Sequence, residues 1–233
     1  MNANNKKRLL KDVLDIIKNP LNNDGIYYKH DESNMLKGYA MIIGPCETIY
    51  NYGYYFFEFK YPKEYPFVPP KVIFHTNNYN IRLHPNLYRN GKVCLSLLNT
   101  WRGEQWTSCQ SIKTILLTLV TLFTNKPLLN EPGIRETYKY FGDYNEIIRW
   151  ANLKIAIIDV LNKKICLSFF DKFNEEVDIE YNKNKEKIKK TIELLTLANV
   201  EQVKLKIPLY SMNAIINYAE IFSEFEKIIK LKN

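Results

Sequence analysis

Leu9, Leu10, Val13, Leu14 and Ile17 recur at helical spacing within "KKRLLKDVLDIIK" (6–18), and Asn19-Pro20 closes the run. The spacing predicts an N-terminal helix with those five residues on one apolar stripe. The period then changes. Three β-like runs follow, "MLKGYAMIIG" (35–44), "YYFFEFKYP" (54–62) and "KVIFHT" (71–76). Gly44-Pro45 and Gly53 punctuate the first gap and Pro-rich "YPFVPP" fills the second. Short strands with short connections predict an antiparallel meander after the first helix.

From Asn77 to Thr107 there is no clean periodicity. A stretch that long inside a compact domain is either functional or disordered. Trp101, Trp106 and the Asn90-Gly91 turn signal argue for order, with both Trp expected as core anchors. Helical spacing resumes over 108–123, where Ser108 serves as N-cap and Ile112, Ile115, Leu116, Leu119 and Phe123 share a face. "NKPLLNEPG" (125–133) breaks it. A further helix is expected from about Tyr144 to Leu161, with Ile148, Ala151, Ile155 and Ile158 inward. Residues 166–233 read as amphipathic helices, the last carrying Ile215, Tyr218, Phe222, Phe225 and Ile229. The order predicts an α+β domain over residues 1–165 with an all-helical extension over 166–233.

Composition narrows the class. A hydrophobic fraction of 46% and an aromatic fraction of 14% suit a packed chain and not a disordered one. No apolar run approaches the roughly 20 residues that span a bilayer, and "MNANNKKRLL" is followed by no secretory h-region. Cys46, Cys94, Cys109 and Cys166 form no CxxC pair, so reduced thiols in a cytoplasmic or nuclear compartment are expected. Three scattered His (30, 75 and 84) make no metal site. The net charge of +8 admits an acidic partner, either nucleic acid or an acidic protein groove. Part of the excess falls in "KNKEKIKK" (183–190), which reads as a solvated helix face. With no nucleic-acid motif and aromatics at strand-core spacing, a nucleic-acid partner is not expected.

The chemistry concentrates in "LHPNLYRNGKVCLSLL" (83–98). Gly91 tolerates positive φ, so Asn90-Gly91 is a tight turn that folds the chain back and brings Cys94 near Asn86. On these residues alone Cys94 is either a small apolar filler behind a turn or a presented thiol. Asn86 offers two N–H donors; one can hold the turn while another meets negative charge on a carbonyl oxygen. No His with an orienting partner supports a cysteine hydrolase.

"YPFVPPKVIF", then His84-Pro85-Asn86, the Asn-Gly turn and Cys94 at this spacing resemble the ubiquitin-conjugating enzymes. "NLYRNGKVCLSLLNTWRGEQWT", "QSI" and "NEPG" look most like the Z-type branch, which shares the enlarged insert between Cys and Trp (here "LSLLNTWRGEQ") and a C-terminal helical extension. The resemblance implies the family fold: N-terminal helix, four-stranded meander, long active-site loop and C-terminal helices. It makes Cys94 the accessible thiol that takes ubiquitin, or a ubiquitin-like protein, from the activating enzyme as a thioester for transfer to a substrate lysine. Asn86 either stabilises the oxyanion or holds the loop; His84 and Pro85 are structural. Glu131 falls where the family often carries an Asp at the mouth of the site, and is either a gate residue or a surface carboxylate. Phe67 matches one ligase-docking loop. At the other, Ser108 and Cys109 stand where many members have a different sequence, and Cys109 reads as packing or helix-start filler. Lys6, Lys7, Arg8 and Lys11 resemble the basic face that meets the activating enzyme, with a solvated face as the alternative. No metal or organic cofactor is implied, because ATP is consumed upstream. The alternative within the same fold is a catalytically weak ubiquitin-binding scaffold. Heavy use of Asn, Ile, Lys and Tyr reads as AT-rich coding, as in viruses and protists; for a viral chain the host cell supplies the rest of the cascade.

Overall fold

The chain was described from a computed structural model, over residues 1–78 and 80–232. Helix α1 (Ala3–Lys18) begins at Asn2, whose side chain accepts the Asn5 N–H at 2.8 Å. Its buried face is Leu9, Val13 and Ile16 together with Asn5 and Asp12. Leu10, Leu14 and Ile17, expected on the core stripe, turn outward, and Ile17 is 61% exposed. Two apolar stripes run along this helix. The buried one carries polar residues whose partners lie inside the fold: Asn5 donates to the Lys63 carbonyl, and Asp12 accepts from Arg8 and from the Tyr65 hydroxyl.

Four strands form an antiparallel sheet in sequence order: β1 (Ile26–His30), β2 (Lys37–Ile43), β3 (Tyr54–Lys60) and β4 (Lys71–Phe74). Strand β1 lies outside the three runs read as strands, because only its first two residues are buried and no apolar alternation marks it. Strand β3 is buried at Tyr54, Tyr55, Phe56, Phe57 and Phe59. Successive strand residues face opposite sides, so such a run requires cover on both faces. Phe123 stacks on Tyr55 at 4.3 Å from one side, while Phe169 and Phe173 meet Phe56 at 5.6 and 6.1 Å from the other. The second cover belongs to the C-terminal extension.

Helix α2 (Ile112–Val120) is capped by Ser111, not Ser108, through a reciprocal arrangement with Thr114. Phe123 lies beyond the helix but is buried as expected. Helix α3 (Phe141–Ala151) runs into a π-helical segment, Asn152–Asp159, in place of one α-helix to Leu161. Ile148, Ala151, Ile155 and Ile158 point inward, and so do Leu153, Ala156 and Ile157. A helix buried all round is enclosed by neighbours. Here the sheet lies on one side, through the Tyr55 hydroxyl on Asn152 at 2.6 Å, and Lys154 pairs with Glu224 of the extension at 2.7 Å on the other.

The extension is not all-helical. After α4 (Leu167–Lys172) and α5 (Asn174–Ala198) come a hairpin, β5 (Val203–Ile207) and β6 (Met212–Ile216), and then α6 (Tyr218–Lys232). Ile215, assigned above to the last helix, lies on β6. "VKLKI" and "MNAII" around Pro208 carry the alternation and the breaker that mark two strands. The buried residues of the extension join one contiguous core with those of the first 165 residues.

Candidate active site

The loop after β4 closes on itself through backbone bonds. Tyr88 donates to the Lys92 carbonyl and Gly91 to the Tyr88 carbonyl, both at 2.9 Å, while Asn90 accepts the Lys92 N–H at 3.1 Å. Gly91 has φ +85°, and a Cβ there would sit 2.9 Å from Ile73 and 3.0 Å from the Phe74 carbonyl, so the turn requires glycine on two counts. Its register places Asn86 against Cys94. The Cys94 N–H donates to the Asn86 carbonyl at 2.9 Å, and Asn86 Nδ2 donates to the Cys94 carbonyl at 2.6 Å. Asn86 Oδ1 is buried with no partner. Thr100, which no sequence motif marks, brackets Cys94 from the other side. Its hydroxyl accepts the Leu95 N–H at 2.9 Å and donates to the Val93 carbonyl at 2.8 Å.

Cys94 is not the exposed thiol the family resemblance implies; it is 1% exposed. Its backbone is clasped on both sides, and Val93 and Leu95 are buried beside it. In this conformation the sulfur-bearing residue is therefore covered.

His84 fixes the other end of the loop. It is fully buried near the Tyr50 ring, and its Nδ1 accepts the Asn86 N–H at 3.0 Å, which places the ring proton on Nε2. Nε2 faces the Leu122 carbonyl without a hydrogen bond of ordinary geometry. Burial pushes the imidazole pKa down to about 3, with the Arg82 charge acting in the same direction. His84 is therefore neutral near pH 7, and its ring holds the Asn86 backbone. A base lowered on folding stabilises the fold above its unfolded pKa of about 6.5 and loses that stability as pH falls toward 3. Between pH 7 and 4.5 this amounts to roughly 2–3 kcal/mol. Chemical unfolding of His84→Gln should show a smaller loss over that interval than wild type. Partial burial lowers His30 and His75 as well and leaves a residual dependence; an unchanged loss in the variant would contradict the assignment.

Glu131 is half-buried, and its carboxylate accepts from the Tyr210 hydroxyl on the hairpin turn. Burial first, and then that hydrogen bond, hold the Tyr210 pKa well above the usual phenol value, so Tyr210 remains a donor. The Arg82 guanidinium lies 4.2 Å from the Tyr210 ring and 3.7 Å from the Tyr88 ring. Arg82 also donates to the Pro85 carbonyl, and Arg89 donates to the Tyr210 carbonyl at 2.5 Å. The structure thus brings Asn86, Cys94, His84, Pro85, Asn90 and Gly91 into one loop and ties Glu131 to that loop through Tyr210.

The remaining predicted residues divide. Lys6, Lys7 and Lys11 are exposed beside the outward Leu10 and Leu14, lining a shallow surface groove. Arg8 is turned inward instead: it pairs with Asp12 at 3.0 Å and donates to the Ser108 and Gln110 carbonyls at 2.5 and 2.6 Å. That fork anchors the Ser108 loop to α1 and removes Arg8 from any docking face. Phe67 is 72% exposed. Cys109 is exposed too, not packing filler. Trp106 is the core anchor expected, its Nε1 donating to the Pro66 carbonyl at 2.6 Å, but Trp101 is 39% exposed. Among the described residues no cluster of His, Cys, Asp and Glu could hold a metal ion, and no helix is long and apolar enough to cross a membrane.

Comparison with known proteins bears on the same residues. The family model described as ubiquitin-conjugating enzyme matches residues 8–147. The chain is 41% identical over 162 residues to ubiquitin-conjugating enzyme E2 Z of Danio rerio, covering 68% of the chain and 48% of the relative. The Homo sapiens protein of that name is 40% identical over 161 residues, covering 67% and 45%, and that of Xenopus tropicalis 40% over 161 residues, covering 67% and 50%. The chain thus spans about half the length of the curated relatives it matches.

Proposed function

Because the chain belongs to the ubiquitin-conjugating enzyme family, we propose that it carries ubiquitin or a ubiquitin-like protein as a thioester on Cys94 and passes it to a lysine of a protein substrate. The observation that carries this reading is the reciprocal clasp of Asn86 and Cys94 inside a glycine-dependent turn. A filler cysteine needs no such clasp; a sulfur that holds an acyl group in a fixed direction does.

The chemistry asks little of the protein. In loading, the Cys94 thiolate attacks the carbonyl carbon of the activating enzyme's thioester, and that enzyme's cysteine leaves. In transfer, a neutral lysine attacks the new thioester and Cys94 leaves. A free lysine has a pKa of about 10.4, so loss of its proton is the demanding step, and desolvation at the site favours the neutral amine. An Asn86 donor facing the oxyanion stabilises that transition state by roughly 3–4 kcal/mol. The chain itself uses no cofactor; ATP is consumed by the activating enzyme. Both steps require the cover over Cys94 to open.

Lys6, Lys7 and Lys11 around an exposed Leu10–Leu14 strip suit docking on the activating enzyme, with charge governing the encounter rate. Exposed Phe67 suits a ligase. A reducing compartment, cytoplasmic or nuclear, keeps the four thiols free. The test is incubation with activating enzyme, ATP and ubiquitin. A ubiquitin adduct that a reducing agent removes is expected on a non-reducing gel. Failure to form one with ubiquitin or any ubiquitin-like protein and its own activating enzyme would leave only the scaffold reading.

A further inference from the structure

The C-terminal hairpin reaches the active-site loop mainly through Tyr210, whose ring, carbonyl and hydroxyl are all engaged. Its ring covers one face of the Arg82 guanidinium at 4.2 Å, its carbonyl accepts from Arg89 at 2.5 Å, and its hydroxyl donates to Glu131. The next residue but one, Met212, accepts the Arg82 N–H through sulfur at 3.2 Å. On the loop side the same contacts continue inward. Arg82 stacks on Tyr88 at 3.7 Å and donates to the Pro85 carbonyl; Pro85 and Tyr88 flank the Asn86-Leu87 pair. Asn86 in turn holds Cys94. A continuous set of contacts therefore runs from residue 210 to the sulfur-bearing residue.

The backbone at this turn is costly. Tyr210 and Ser211 have φ values of +59° and +48°, in the left-handed region that non-glycine residues rarely adopt, and they adopt it consecutively. A strained conformation persists where surrounding contacts over-determine it. The hairpin provides them: Ile207, Met212, Ala214 and Ile216 are buried, and Tyr210 meets the Tyr144 ring of α3 edge-on at 6.3 Å. A turn anchored by four buried side chains is a wall and not a lid.

We propose that Tyr210 is a positioning residue of the active site: it fixes the 82–94 loop through Arg82 and Arg89 and holds the Glu131 carboxylate in place, so that the C-terminal extension forms part of the catalytic scaffold. The role in transfer rests on the thioester reading above; the role in holding the loop does not, and the two are tested separately.

Hydrogen exchange on the full chain tests the first. Tyr210→Ala should raise exchange of the amides over 82–94 at least 10-fold while those of β2 and β3 stay unchanged. Tyr210→Phe, which keeps the ring on Arg82 and the carbonyl on Arg89, should leave the loop close to wild type. Unchanged loop exchange in Tyr210→Ala would overturn the positioning role whether or not the protein accepts ubiquitin. Single-turnover kinetics test the second, once wild type is shown to load. Discharge of the preformed thioester to free lysine should fall about 10-fold in Tyr210→Ala and about 3-fold in Tyr210→Phe, with loading changed less than 2-fold. Loading and discharge at or above wild-type rates in Tyr210→Ala would make the turn an obstructing lid and overturn the proposal. Should Tyr210→Ala fail to fold, the split between loading and discharge in Tyr210→Phe decides it: a discharge rate equal to wild type contradicts the role assigned to the hydroxyl.

Discussion

Asn86→Ala is expected to slow discharge of the Cys94 thioester to free lysine about 100-fold, the size of effect seen when an oxyanion donor is removed. Loading should suffer far less, because its nucleophile is a thiolate and not an amine that must first lose its proton. The geometry also predicts a stability cost. Asn86 Nδ2 is bonded to the Cys94 carbonyl at 2.6 Å, and removing it strands a buried acceptor at a cost of about 1–3 kcal/mol. Single-turnover loading and discharge, measured beside thermal unfolding, separate the two roles. A large discharge defect with modest loading and stability losses supports oxyanion contact. Equal losses in both steps would mean that Asn86 acts only by holding the loop.

Truncation after residue 165 should yield a chain that does not fold. The extension was expected as a helical tail that docks on the core or serves a partner; Phe169 and Phe173 pack on Phe56 of β3, Phe170 is buried as well, and the Tyr27 hydroxyl bonds Glu180 at 2.7 Å in the interior. Removing these residues would expose one face of β3 and one side of the π-helical segment. Loss of a single buried Phe costs about 3–5 kcal/mol, and total stability is only about 5–15 kcal/mol, so loss of all three is comparable to the whole. Expression of residues 1–165 followed by circular dichroism and a melting curve decides this. A cooperative transition near that of the full chain would show that the first 165 residues fold alone.

The active-site loop was legible from sequence because its constraints are local. The Asn90-Gly91 pair dictates a turn and the turn sets the distance from Asn86 to Cys94, whereas the structural role of His84 is implied only by the family resemblance. Elements whose form depends on distant partners were not. On α1 both Leu9–Val13–Ile16 and Leu10–Leu14–Ile17 satisfy helical spacing, and the choice rests on Asn5 and Asp12 finding partners near Lys63 and Tyr65. Arg8 looked like one more basic residue of a docking face; its role is set by carbonyls 100 and 102 residues away. The hairpin at 203–216 resembles its amphipathic neighbours in sequence because its apolar residues also fit a helical period, and only Pro208 interrupts that pattern. Tyr210 had no signal of its own: one tyrosine among 17, made significant only when tertiary structure sets it against Arg82 and Glu131.

Burial of Cys94 sharpens the central question, since Cys46 and Cys109 are exposed and Cys94 is not. If exposure alone decided which thiol carries the modifier, the exposed pair would do so; if the clasp of Asn86 and the architecture of the loop decide, Cys94 would. The direct measurement is peptide mapping of the ubiquitin adduct, formed with activating enzyme and ATP and kept under non-reducing, mildly acidic conditions. The ubiquitin C-terminal remnant is expected on the peptide containing Cys94 and on no other cysteine. A remnant on Cys46 or Cys109, with Cys94 unmodified, would contradict the account.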